Sequence, residues 1–251
     1  MSVPLLSLKK IGLKNPSKEQ PILDEVSLDV FPGDFIILLG SNGSGKSSLI
    51  KIINGLSQPT AGELLFKGRA LLSDSISHRA KEIVTLTQDL NLSTFSQLTV
   101  LENCLMAIHR NRRIGFSVSI KAVLLRIIAH LQKYNPKLCD KLYEPVSILS
   151  GGERQTLAFA MSLWNIPNLF LLDEHTSALD SPMAQKLMHL TNQLVNVKKI
   201  TTIIATHHLD DALQYGNRLI MMNKGRIALD LNLSDKKKLN RETLLALYNT
   251  G

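Results

Sequence analysis

The segment Gly40-Ser41-Asn42-Gly43-Ser44-Gly45-Lys46-Ser47 has the residue types that hold a chain of phosphates. Its glycines let successive backbone N–H groups turn towards one anion, and a helix that starts there adds partial positive charge. Lys46 supplies a point charge for the terminal phosphates, and the Ser47 hydroxyl offers an oxygen to Mg²⁺, a hard cation that prefers such ligands. The spacing satisfies G-x-x-x-x-G-K-[ST] in full. A second chemical group ends the apolar run Leu169-Phe170-Leu171-Leu172, where Asp173 and Glu174 follow directly. Acids at the C-terminal end of a parallel strand lie where ligands bind in open α/β sheets. There Asp173 can hold Mg²⁺, directly or through water, and Glu174 can polarise a water for attack on a γ-phosphate. Taken alone, two such acids equally suit a solvated strand end; beside a phosphate loop they suit hydrolytic phosphoryl transfer. A third segment, Leu149-Ser150-Gly151-Gly152-Glu153-Arg154-Gln155, opens a helical pattern. Its N–H groups form either another anion site or an N-capped helix start after a turn.

The apolar patterning supplies elements to position these residues. Phe35–Leu39 is short and continuously apolar, which predicts a fully buried strand directly ahead of the phosphate loop. Ser47–Ile53 follows as a helix with Leu49, Ile50 and Ile53 on one face. Before them, Ile22–Val30 alternates and ends at the Pro32-Gly33 turn, as a half-exposed strand does. Glu63–Lys67 and Ile83–Thr87 are short strand candidates, and the pattern then turns helical over Val100–Arg110, Ile120–Tyr134 and Gly152–Leu163. Strands return at Asn168–Asp173 and Ile200–Thr206, separated by a helix over Pro182–Val197 and followed by a short one over Leu209–Tyr215. Arg218–Met222 and Arg226–Leu231 form a hairpin around Asn223-Lys224-Gly225, and Glu242–Tyr248 closes as a helix. The order is that of an α/β core interrupted by a helical insert.

Composition excludes several classes. The chain has 251 residues, 44% of them hydrophobic and 20% charged, which is globular and not disordered. Two cysteines, Cys104 and Cys139, are too few for a disulfide framework and predict ordinary thiols in a reducing cytoplasm. No apolar run reaches the ~18–20 residues of a membrane span. The opening MSVPLLSLKK lacks the pattern of a secretory signal. The net charge of +8 resides almost wholly between Asn103 and Tyr143. There Arg110, Arg112, Arg113, Lys121, Arg126, Lys133, Lys137 and Lys141 face the single acid Asp140. Such a patch is either a solvated helical face or a surface close to anionic lipid.

LSGGERQ, taken with GSNGSGKS and LFLLDEHTSALD, resembles the ATP-binding cassette (ABC) superfamily over about residues 5 to 231. The resemblance implies a P-loop NTPase fold of the α/β class. It has a mixed, mainly parallel sheet with an antiparallel β subdomain, and an inserted α-helical subdomain. One ATPase domain would span 1–251, with its core at about 1–87 and 167–251 and the insert at about 88–166. It implies ATP and Mg²⁺ as ligands, with Gly40 to Ser48 around the phosphates (Ser48 included) and Ser47, Gln88 and Asp173 at the metal. Glu174, His207, Lys46 and Gln88 would be the catalytic group, His207 as the switch histidine at the γ-phosphate. Ser150, Gly151, Gly152 and Asp180 would serve the nucleotide held by a second copy in a head-to-tail homodimer. Ser177-Ala178-Leu179-Asp180 matches the loop that communicates across that dimer.

Three departures from the family pattern stand out. Glu153 replaces the commoner Gln, His208 stands where an acid or amide usually follows the switch histidine, and no aromatic precedes Phe31 to stack on adenine. The region Ile11–Asn15 offers only aliphatic packing there. DEHTSALD and HHLDDALQYGNRLIMMNKGRIALD further resemble ATPases of poorly characterised bacterial importers. Those work at the inner face of the cell membrane with an integral membrane permease and a substrate-binding protein, with amino acids among proposed cargoes. A nucleic-acid-associated cassette of the repair or translation type is the alternative. Against it, Ser47 and Leu149 are separated by little more than the usual insert, with no long coiled coil, and the chain carries one cassette where translation types carry two. No nucleic-acid partner is therefore expected. A regulator that binds ATP without turnover conflicts with the presence of Glu174 and His207.

Overall fold

A computed structural model describes residues 3–15, 20–109, 119–177 and 179–250. In chain order the elements are β1 (Leu6–Leu13), β2 (Leu23–Val30), β3 (Phe35–Leu39), α1 (Lys46–Asn54), β4 (Ala61–Phe66), β5 (Arg69–Ala70), α2 (Ile76–Arg79) and β6 (Ile83–Leu86). Next come α3 (Val100–His109), α4 (Ile120–Leu131), α5 (Lys137–Asp140) and α6 (Gly151–Ser162). The chain closes with β7 (Leu169–Asp173), α7 (Ser181–Lys198), β8 (Thr201–Thr206), α8 (Leu209–Gln214), β9 (Arg218–Asn223), β10 (Arg226–Asn232), α9 (Leu233–Lys236) and α10 (Arg241–Thr250). Two compact units emerge: Met1–Thr85 with Asn168–Glu174 and Leu194–Gly251, and Leu86–Pro167 with His175–Gln193.

The first unit holds a six-stranded sheet of order β10-β9-β3-β8-β7-β6 and a four-stranded antiparallel sheet of order β2-β1-β4-β5. In the larger sheet β3 pairs in parallel with β8 and β9, and β7 in parallel with β8. Every residue of β3, β7 and β8 is buried, which is why these strands read as unbroken apolar or β-branched runs. β10 pairs antiparallel with β9 at the edge and alternates in exposure. The core joins Leu6, Leu8 and Ile11 of β1 to Leu49, Ile50, Ile52 and Ile53 of α1 and to Leu169 and Leu171 of β7. Sequence patterning misses β1, because a bulge at Lys10 (φ 49°) breaks its alternation and leaves Lys9 and Lys10 both exposed.

The far end of α1 is closed by a residue distant in sequence. Arg79 is buried; its Nε donates to the Asp74 main-chain carbonyl (3.2 Å), and its Nη1 to the carbonyls of Ile52 (2.8 Å) and Ile53 (3.2 Å) at the end of α1. These are carbonyls that a helix C-terminus leaves without intrahelical donors. Replacing the guanidinium by an apolar chain takes the donor from Ile53 and leaves Ile52 only the Gly55 N–H (3.2 Å), so Arg79→Met is expected to destabilise by on the order of 2 kcal/mol. Urea unfolding checks this against the exposed Lys81→Met, expected within about 0.5 kcal/mol of the parent.

The second unit consists of α3 to α6, the start of α7 and two 3₁₀ turns at Leu90–Leu92 and Val146–Ile148. Aromatic rings knit it together: Phe159 of α6 meets Tyr134 edge-on at 5.9 Å, and His130 of α4 lies 4.3 Å from Trp164. Both cysteines carry free thiols, and burial in α3 pushes Cys104 up to about 12. Lys121, Arg126, Lys133 and Lys137 are exposed. Arg110, Arg112 and Arg113 lie outside the described residues, as does Ala178.

Candidate nucleotide site

The phosphate loop connects β3 to α1. Gly45 has a backbone φ of 106°, and a Cβ there would stand 2.7 Å from Leu23 Cδ2 and 3.0 Å from the Ile22 carbonyl, so only glycine fits. Gly40 is equally constrained, with a Cβ position 2.6 Å from the Met222 carbonyl. Ser41, Asn42 and Gly43 are exposed, Ser44 is buried, and Ser47 and Ser48 lie in the first turn of α1. The buried Ser44 hydroxyl has no hydrogen-bond partner among the described residues, which suits a loop that wraps an anion.

Lys46 is only 4% exposed and folds back on the loop. Its Nζ donates to the carbonyls of Gly40 (2.7 Å) and Ser41 (3.0 Å). Burial lowers its pKa, opposed by the charges of Glu174 and Asp173. At the end of β7, Asp173 Oδ1 accepts from Ser47 Oγ at 3.0 Å. Burial raises the Asp173 carboxyl above its ordinary range, while the Ser47 hydrogen bond and Lys46 pull it down. Ser47 and Asp173 thus present hard oxygen donors side by side. That fits a Mg²⁺ ion, which takes one or two protein ligands and completes its shell with phosphate and water.

Glu174 adopts the left-handed region (φ 47°), unusual for a residue with a side chain. Its N–H donates to the Ala205 carbonyl (3.1 Å), and its Oε1 lies 3.2 Å from His207 Nδ1. A carboxylate only accepts, so Nδ1 carries the proton in this pair. Of the two adjacent histidines, His207 therefore reaches the acid. His208 packs its ring against that of His207 at 4.2 Å, and its N–H donates to Thr206 Oγ1 (3.0 Å). Beneath them Asp211 is raised by burial, with His208 the leading opposing charge. Sequence reading overlooked Asp211; its signal is an acid four residues after His207, one helical turn along α8.

Lys46, Ser47, Asp173, Glu174 and His207 are brought together in the first unit; Gln88, Ser150, Gly151, Gly152 and Asp180 belong to the second. Gln88 is exposed, two residues beyond β6. Ser150 caps α6 in a capping box: its Oγ accepts from the Glu153 N–H (3.2 Å), and Glu153 Oε2 accepts from the Ser150 N–H (2.9 Å). Glu153 Oε1 also takes Lys141 Nζ at 2.7 Å, so this departure from the family pattern has a structural use. Among the described residues a Cβ on Gly151 would meet nothing within 4 Å, so their packing does not require glycine there. Asp180 Oδ1 accepts from the Met183 N–H (2.9 Å) at the start of α7.

The profile of the ABC transporter family matches residues 23–177, more than half of the chain. The chain belongs to the ABC transporter family. This ABC cassette is 34% identical over 246 residues to the tyrosine transport ATP-binding protein of Clostridioides difficile, covering 95% of this chain and 98% of that one. It is 31% identical over 252 residues to a phosphonates import ATP-binding protein of Halalkalibacterium halodurans, covering 97% and 94%. A dimeric ATP-binding cassette solved in a post-hydrolysis state with ADP and Pi superposes with a TM-score of 0.79 at 28% identity, covering 91% of this chain and 98% of that one. The cassette is an ATP-binding ATPase of the α/β class.

Proposed function

We propose that this ABC ATPase powers import through a separate integral membrane permease, working as a head-to-tail homodimer with ATP at the interface. One observation carries the catalytic part: Glu174 is held by His207 in the same unit that positions Lys46 and Asp173. Gly40 to Ser48 enclose the phosphates, and Lys46 places its charge on the terminal ones. Ser47 and Asp173 would hold Mg²⁺, which when bound supplies positive charge against the phosphate oxygens. Glu174 orients and deprotonates the attacking water, and His207 fixes the carboxylate and faces the γ-phosphate. Ser150, Gly151, Gly152 and Asp180 serve the nucleotide of the second copy, a reading supported by a Gly151 that packing among the described residues does not demand. Gln88 senses the metal and the permease.

The transport part rests on the relatives, named for phosphonates, spermidine/putrescine, aliphatic sulfonates and tyrosine. These are transport proteins, which favours a permease over nucleic acid as partner. No helix among the described residues is long and apolar enough to cross a membrane. The ATPase would then sit in the cytoplasm on the inner face of the cell membrane, with a substrate-binding protein delivering cargo. Amino acids are the favoured cargo, on the likeness to the tyrosine transport protein.

Phosphate release from ATP by the purified chain is expected to stop with EDTA and to be unchanged by added DNA or RNA. Stimulation by nucleic acid would replace the permease reading. In cells, uptake of labelled amino acids is expected to fail when Lys46→Ala replaces the parent; loss of efflux instead would reverse the direction.

A further inference from the structure

The chain crosses from the first compact unit to the second at the peptide between Glu174 and His175. The residue after the acid therefore belongs to the second unit. His175 is 1% exposed, and it meets Gln155 and Phe159 of α6 and Thr191 of α7. Its carbonyl accepts from Gln155 Nε2 of α6 at 2.6 Å, a donor that is itself buried. Its ring stacks with Phe159 of α6 at 6.4 Å and 21° between planes. Its Nε2 lies 3.4 Å from Thr191 Oγ1 of α7. That hydroxyl already donates to the Leu187 carbonyl at 2.8 Å, so the imidazole must donate to the hydroxyl and Nε2 carries the proton. Gln155 and Phe159 are four residues apart and share one face of α6.

On the other side of the peptide, Glu174 is bent into the left-handed region, and its N–H is tied to Ala205. A strained backbone persists only where its surroundings over-determine it. Ala205 fixes one side of this residue, and Gln155, Phe159 and Thr191 fix the next. We propose that His175 is the positioning residue of Glu174: by fixing the peptide after the acid to α6 and α7, it sets where the carboxylate points. This rests on the assignment of Glu174 as the base for water.

The test is steady-state ATP hydrolysis by the full chain carrying His175→Phe or Gln155→Leu. His175→Phe keeps the ring stack and removes the Nε2 donor; Gln155→Leu keeps the imidazole and frees its carbonyl. Both are expected to lower kcat by about 10-fold to 100-fold with KM for ATP within about twofold. In a Glu174→Gln background neither is expected to lower the residual rate further, because a misplaced carboxylate that is already absent cannot be lost twice. Parent-like kcat in both variants, an equal rise in KM, or the same further loss in the Glu174→Gln background would overturn the proposal. Parent-like turnover in Glu174→Gln by itself overturns the assignment of the base instead, and that single variant distinguishes the two failures.

Discussion

Glu174→Gln is expected to lower kcat by about 10²–10⁴-fold while ATP binding survives. The amide has the shape of the carboxylate, and its Oε1 can still accept from His207 Nδ1, so the 3.2 Å contact is retained. The left-handed backbone and the bond to Ala205 belong to the main chain and are also kept. Only the capacity to take a proton from water and to stabilise the developing positive charge disappears. The phosphate contacts proposed for Gly40 to Ser48 do not involve this side chain, so the Kd for ATP should stay within about threefold of the parent's, an interaction change below ~1 kcal/mol. A filter-binding titration and a phosphate-release assay on the same preparation check both halves. Turnover within a factor of ten of the parent would remove Glu174 from its role. With turnover lost as expected, bound ATP should persist in the variant, and any assembly that needs ATP should be easiest to isolate with it.

What the sequence discloses follows from how local the determinants are. The phosphate loop is eight consecutive residues between a buried strand and a helix, so its chemistry and position are both legible. β3, β7 and β8 are legible because central parallel strands are apolar on both faces. β1 is hidden because one bulged residue spoils the period that would announce it. Arg79 is hidden for a different reason: its partners are main-chain carbonyls 26 and 27 residues away, which no side-chain pattern encodes. The family resemblance already favours His207 over His208, and the structure supplies the physical reason. Both follow β8, and the path of the chain turns the His207 ring to Glu174 and packs the His208 ring on its neighbour, near Asp211. Glu153 reads in sequence as a mild departure, yet it closes a capping box and pairs with Lys141. His175 is the extreme case, since its partners come from two helices and its main bond is made by its carbonyl.

Lys46→Ala separates binding from folding in the opposite way to the Glu174 variant. The ammonium is nearly buried, and it is held by two carbonyls of the loop it serves. A charge-assisted hydrogen bond to phosphate is worth about 1.5–3 kcal/mol, so losing it should weaken ATP binding by roughly 10-fold to 100-fold. Stability moves differently. Burial lowers the Lys46 pKa, so the folded state binds this proton less readily than the unfolded chain does. The sign is unfavourable to the fold wherever the unfolded lysine is protonated, and it is relieved only as pH rises towards the ordinary lysine value. Removing the side chain therefore removes a buried charge as well as two hydrogen bonds, and the opposing contributions should leave Tm within a few degrees, about 1 kcal/mol. Truncation also takes away a positive neighbour that pulls the Asp173 carboxyl down, so that carboxyl should titrate higher still. Undiminished ATP binding in a fluorescence titration would contradict the loop assignment. A collapse of Tm would instead show that the ammonium holds Gly40 and Ser41 in place for the fold, and the two results are read from separate measurements on one variant.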